Sequence, residues 1–327
     1  MEATARAHPN IAFIKYWGNR DDHLRIPANS SISMNLDGLS TETTVEWADD
    51  IAADYLILNG TAQTGPALER VQRHLDMLRR RLNLSAYARV ESTNNFPMGA
   101  GIASSASSFA ALTVAGVAAS GRGDIDEREL TRLARLGSGS ASRSVPGGFV
   151  EWHSGDSHET SYAESMAPEN HWALVDVIAV ISTAHKAVGS TEGHKSASTS
   201  VLQTARVADA ALRFEQCKRA ILDRDFVTFA EVVERDSNLM HAIMMTSRPP
   251  LFYWLPGSLE VMESVRSWRS EGLDVCYTMD AGPNVHCICT QERAAEIETR
   301  LRQMTYVVDV RTAGVGGAAS VVRVSKR

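Results

Sequence analysis

An α+β fold in two domains is what this sequence predicts, and three observations carry that reading. The chain has 327 residues, more than a single hydrophobic core normally takes in. Strand-like and helix-like segments mix in both halves without the regular alternation that marks a parallel α/β sheet. Near residue 194 the character changes, from short strands and small-residue loops to long amphipathic helices. The boundary is expected near 180–195, giving domains of residues 1–185 and 186–327.

From the N-terminus, the alternating patterns SISMNLDG and TETTVEW (31–38 and 41–47) predict strands, and LNG at 58–60 a turn. ALERVQRHLDMLRRRL (67–82) sets Leu68, Val71, Leu75, Leu78 and Leu82 on one helical stripe. AYARVEST (86–93) reads as a strand entering a glycine-serine loop, followed by a nearly all-apolar helix over 103–119. A second small-residue loop, GSGSASRSVPGGFVEW (137–152), joins a helix to a strand, and WALVDVIAVIS (172–182) is a buried strand. Helices then dominate to about residue 271. VCYTMDAG and HCICT predict strands, 292–303 a helix, and YVVDVRT and ASVVRVS two closing strands.

Composition excludes several classes. Lys and Arg number 33 against 39 Asp and Glu, a net charge of −6, which argues against nucleic acid or an anionic membrane as partner. No run approaches the ~18 apolar residues of a spanning helix, and the N-terminus lacks a signal core. Cys217, Cys276, Cys287 and Cys289 suit neither a zinc site nor a disulfide framework, and read as buried, reduced thiols of a cytoplasmic protein.

Five stretches can carry chemistry. NNFPMGAGIASSASSFAAL (94–112) offers open backbone at Gly99 and Gly101 and hydroxyls at Ser104, Ser105 and Ser107 at a helix start. That suits phosphate or Mg²⁺, though a Gly/Ser loop is also an ordinary cap, and no P-loop Gly-Lys-Ser/Thr follows. AFIKYWGNRDDHLRIP carries Lys15 on an apolar strand, as either a wet edge lysine or one aimed at an anion. SGSASR (138–143) pairs serines with Arg143, which can clamp an oxyanion or lie solvated. YTMDAGPN sets Asp280 at a turn, as a general base or a turn cap. GSTEG (189–193) places Ser190 and Thr191 where they can cap a helix or meet phosphate. The histidines form no ligand set.

The order of these blocks is more telling than any one of them. PMGAGIASSAS after a strand resembles the nucleotide loop of the GHMP kinase superfamily. NIAFIKYWGNRD, SGSASR, GSTEG, ERDSNLMHA and YTMDAGPN, in this order, resemble the mevalonate diphosphate decarboxylase family, over about residues 8–290. The resemblance implies the two-domain GHMP kinase fold with its active site in the interdomain cleft, and a homodimer. It implies ATP-dependent phosphorylation of the 3-hydroxyl of a 5-phosphorylated mevalonate, then loss of phosphate and CO₂. It makes Asp280, Lys15 and Arg143 catalytic. It sets Tyr16, Asn19, Arg70, Ser138, Ser140, Arg143 and Thr191 on the substrate, and Gly99, Gly101, Ser104, Ser105 and Ser107 on ATP, with Ser104 also on Mg²⁺.

Two departures bear on the substrate tail. The turn that such proteins write Tyr-Trp-Gly-Lys-Arg-Asp has Asn19 in place of lysine, and their Ser-Thr-x-Gly-Met block carries Glu192 and ends in His194. One cation lost and one anion gained each weigh up to ~4 kcal/mol before screening. The expected substrate is therefore (R)-5-phosphomevalonate, giving isopentenyl phosphate. The diphosphate, giving isopentenyl diphosphate, is the alternative, and a 3-kinase that does not decarboxylate is another.

Overall fold

The computed structural model describes residues 1–96, 104–184 and 189–325. The first unit holds a six-stranded sheet ordered Ser320–Ser325, Glu2–Ala7, Thr41–Ala48, Tyr87–Asn94, Tyr55–Leu58 and Thr61–Ala62. On it lies helix Ser104–Ala119, whose small residues (Ala106, Ala110, Ala111, Ala115) are buried. Without bulky side chains this helix seats close to the strands, and Trp47 Nε1 donates to the Gly116 carbonyl at 2.8 Å. Helix Gly65–Leu82 buries Leu75, Leu78 and Leu82 of its stripe and stops at Asn83, which takes the left-handed conformation (φ 54°) that Asn tolerates at a helix end.

A four-stranded sheet, ordered Ala163–Ala167, Phe149–Trp152, Ser31–Asn35 and Asn10–Ile14, faces the second unit. That unit is built on strands Val275–Thr278, Val285–Thr290, Leu174–Val180 and Asp309–Gly314. Helices Gln203–Asp223 and Phe226–Thr246 fill the space between the two sheets. One continuous core joins them: Phe13, Ile32 and Phe149 from one side, Ile178 and Ile288 from the other, with Phe214 and Phe229 between. Phe13 meets Phe229 edge to face, 4.8 Å between centroids, a favoured aromatic geometry.

The domain expectation needs correcting here. Strand Leu174–Val180 pairs along its whole length with Val285–Thr290 and Asp309–Gly314, so the second unit begins before residue 174 rather than at 186. Hydrophobicity alone marks a buried strand but not the sheet that takes it. The last strand, Ser320–Ser325, returns to pair with Glu2–Ala7 in the first unit. All four cysteines are buried and unbridged. Among the described residues no helix is long and apolar enough to cross a membrane.

Candidate active site

Lys15 follows strand Asn10–Ile14, and Asp280 lies just beyond strand Val275–Thr278. The interface of the two units brings them together: Lys15 Nζ donates to Asp280 Oδ1 at 2.7 Å. The lysine is 1% exposed and the aspartate 28%, so the carboxylate faces the cleft while the ammonium stands behind it. The Lys15 backbone is gripped from both units. Its N–H donates to Asp236 Oδ2 at 2.6 Å, and its carbonyl accepts from Arg206 at 2.8 Å and Asn29 at 3.0 Å. Asp236 also accepts from Arg213 at 2.8 Å, with both side chains wholly buried. Burial pushes the Asp280 carboxyl up, but Lys15, with His286 and Arg143, more than offsets it and holds the group below the ordinary carboxylate range. At neutral pH Asp280 is an ionised, partly open carboxylate, as a general base requires.

Arg143 sits in the 3-10 turn Gly139–Ser144 and is 3% exposed. It donates to Ser31 Oγ at 2.7 Å and Ser33 Oγ at 3.1 Å, and its guanidinium stands 5.6 Å from the Trp152 ring centroid. Burial lowers it to about 10, against the pull of Asp280 and Tyr16, so it stays charged. A buried cation held mainly by hydroxyls favours an incoming carboxylate. Tyr16 packs edge-on to Trp152 and stacks on His194. Burial pushes its hydroxyl up to about 12, so it acts as a hydrogen-bond donor. His194 takes the Gly18 N–H on Nδ1 at 3.0 Å and is driven down to about 3 by burial and by Arg25, Arg206 and Arg143. It is a neutral ring in the wall. Gly139 lets this wall close, since a Cβ there would stand 2.5 Å from the Tyr16 ring.

These groups line one cavity of about 200 Å³. Of the residues expected on the substrate, Tyr16, Arg70, Ser138, Ser140 and Arg143 face it together with Lys15, Asp280 and Ser105. Ser105, Ser138 and Ser140 run as a row of hydroxyls 3.2 and 3.4 Å apart. An adjoining apolar pocket of about 190 Å³, lined by Leu56, Leu58, Val71, Phe109 and Leu112, opens beside Ser104 and Ser105.

Three expectations change. Asn19 does not line the cavity: its Oδ1 accepts from Tyr16 at 2.5 Å and its Nδ2 donates to Asp22 at 2.7 Å. Ser107 is fully buried, bonded to Thr41 Oγ1 at 2.7 Å and to the Ser104 carbonyl, so its hydroxyl ties the helix to the sheet rather than facing the cavity. Glu192 is 69% exposed and pairs with Lys195 at 3.1 Å, so the anion thought to oppose the substrate tail points to solvent. Gly99 and Gly101, and the Thr191 side chain, lie outside the described residues.

Sequence reasoning missed Arg25, which among the described residues is a fourth cation in the cavity wall beside Lys15, Arg70 and Arg143, against the one carboxylate of Asp280. It also missed Arg206, which lies outside every block singled out in the sequence, whereas the helical spacing of ERDSNLMHA suggests packing and interdomain hydrogen bonds of the kind Asp236 makes to Lys15.

Comparison with known proteins agrees with this geometry. Residues 7–163 match the family described as diphosphomevalonate decarboxylase-like N-terminal domain, and residues 176–320 the mevalonate 5-diphosphate decarboxylase C-terminal domain. The diphosphomevalonate decarboxylase of Candida albicans is 41% identical over 86% of this chain and 82% of its own length. That of Homo sapiens is 38% identical over 90% and 78%. Among solved structures, mevalonate diphosphate decarboxylase from Staphylococcus aureus is 38% identical, with a TM-score of 0.92 over 98% of both chains. A structure described as MDDEF in complex with MVAPP, AMPPCP and magnesium is 36% identical, with a TM-score of 0.93 over 99% of both. With both halves matched, and Lys15, Asp280 and Arg143 gathered where the two units meet, this chain belongs to the diphosphomevalonate decarboxylase family, on the GHMP kinase fold.

Proposed function

We propose that this protein is an ATP-dependent decarboxylase of mevalonate 5-diphosphate, forming isopentenyl diphosphate, ADP, phosphate and CO₂. The observation that carries this is the Lys15–Asp280 pair facing Arg143 across one small cavity. In this reading Asp280 takes the proton of the tertiary 3-hydroxyl as that oxygen attacks the γ-phosphate of ATP. Lys15 keeps Asp280 ionised and offsets the charge that builds on the transferring group. The 3-phosphate then departs with its electron pair, and the carboxylate held by Arg143 loses CO₂ to form the double bond. Arg143 and Asp280 together support full decarboxylation over a kinase that stops at the 3-phosphate.

The row Ser105, Ser138, Ser140 suits phosphate oxygens, and the adjoining apolar pocket suits an adenine ring. Asp280 is already engaged with Lys15, so Mg²⁺ would be held mainly by ATP phosphates and water, with Ser104 or Ser105 beside it. There it supplies charge neutralisation on the phosphates.

The diphosphate replaces the monophosphate as the favoured tail for two reasons. The named relatives are diphosphomevalonate decarboxylases, and the charge argument loses its Glu192 half while the cavity gains Arg25. One observation still favours the monophosphate: Asn19 puts no cation beside Tyr16. Comparing kcat/KM for the two substrates decides between them, and a strong monophosphate preference overturns the main reading. A homodimer belongs to the same family-based reading, and light scattering of the purified protein tests it.

A further inference from the structure

The turn that carries Arg25 is built in an unusual way. Strands Asn19–Asp21 and Ile26–Pro27 form a small hairpin, with Asn19 opposite Pro27 and Asp21 opposite Ile26. Arg25 closes its turn at φ 51°, in the left-handed region that a long side chain seldom adopts. Side chains pin the turn on both flanks. Asp21 accepts the Leu24 N–H at 2.8 Å, and the buried Arg135 donates to the Leu24 carbonyl at 3.0 Å.

The Arg25 side chain reaches across to helix Glu127–Gly137 and donates Nε–H to the Leu136 carbonyl at 3.0 Å. Arg70 donates to the next carbonyl, Gly137, at 3.2 Å, and its guanidinium lies 4.6 Å from the Phe109 centroid. Two guanidiniums thus hold the negative end of one helix, directly before Ser138 and Ser140. Both line the cavity. They repel: Arg70 is brought down to about 10, chiefly by burial and then by Arg25 and Arg73. Among the described residues neither has a carboxylate partner. Two fixed cations beside a hydroxyl row, with Nε of Arg70 buried and without a partner among the described residues, form a receptor for a phosphate group. On the opposite strand of the hairpin Asn19 is neutral, with both ends of its amide engaged.

We propose that Arg25 is a specificity-determining residue, which with Arg70 clamps the phosphate tail of the substrate and supplies from one side of the hairpin the charge that Asn19 does not supply from the other. This rests on the reading of the cavity as the site of a 5-phosphorylated substrate.

The test uses the purified full chain with ATP and either mevalonate 5-phosphate or mevalonate 5-diphosphate. Arg25→Ala is expected to raise KM for the preferred substrate about tenfold to a hundredfold, the loss of a charge-assisted contact. The KM for ATP and kcat stay within about twofold. Arg25→Gly, which suits the positive φ, removes the guanidinium without strain and should give the same result if the alanine variant folds poorly. Asn19→Lys in the Arg25→Gly background should recover most of the loss, which a merely structural role for Arg25 would not allow. An unchanged KM for both substrates overturns the proposal, as does a rise confined to ATP. A wild-type preference for the monophosphate overturns the diphosphate reading alone, since the clamp predicts the KM loss for whichever tail is preferred.

Discussion

The two ends of the cavity are held in opposite ways. At the chemical end, Lys15, Asp280 and Arg143 sit at the meeting of both units, and the Lys15 backbone is fixed by buried Asp236 and Arg206. At the end proposed for the substrate tail, Arg25 and Arg70 are half-buried and rest on helix carbonyls of the first unit. The first arrangement cannot shift without breaking the interdomain core. The second tolerates a change of residue on a short hairpin. Reaction type is therefore expected to be insensitive to surface substitution, and tail preference to respond to it.

The largest expected effect is at the chemical end. Asp280→Asn should lower kcat by about 10²–10⁴-fold, the range for a general base, with the KM for ATP little changed. A variant that turns over normally breaks the assignment. Asp236→Asn comes next. It leaves the wholly buried Arg213 without its buried counter-charge and loosens Lys15. Breaking such a pair costs about 3–5 kcal/mol, to be read as a lower midpoint in urea unfolding.

Acid should also act through the interior. Burial, aided by nearby cations, drives His74 and His194 to about 3 and His241 to about 4, from an ordinary 6.5. The unfolded chain binds those protons first, so stability is full above about pH 6.5 and falls as pH drops towards 3–4. His74→Gln should flatten that fall in a pH series of thermal midpoints. Its Nε2 lies 2.9 Å from the Thr113 hydroxyl and its ring packs edge-on to Phe109, behind Arg70 and without lining the cavity, so kcat should hold. The smallest effect belongs to Glu192→Gln. With its carboxylate in solvent beside Lys195, kcat/KM should stay within about twofold for both tails. A large gain for the diphosphate would restore Glu192 as a determinant.

Much of this was legible in the sequence because it is local. The stripe of helix Gly65–Leu82 and the alternation of Thr41–Ala48 each announce their element. Block order led to Lys15, Arg143 and Asp280, which the fold sets around one cavity. What stayed hidden depends on pairing across long separations. Strand Leu174–Val180 joins the second sheet through partners more than a hundred residues away. Arg25 reaches the cavity only because its hairpin turn docks on the end of helix Glu127–Gly137. The direction in which Glu192 points depends on a helix phase that a five-residue motif does not contain.

The returning strand Ser320–Ser325 has a practical corollary. Because it caps Glu2–Ala7, the first lobe is not one uninterrupted stretch of chain, while the second is. A protein shortened to residue 318 would present the whole flank of Glu2–Ala7 with its amides and carbonyls bare, an open template for another copy of the chain. Tags and truncations at the C-terminus should therefore be judged first by aggregation, before any loss of turnover is blamed on the distant cleft.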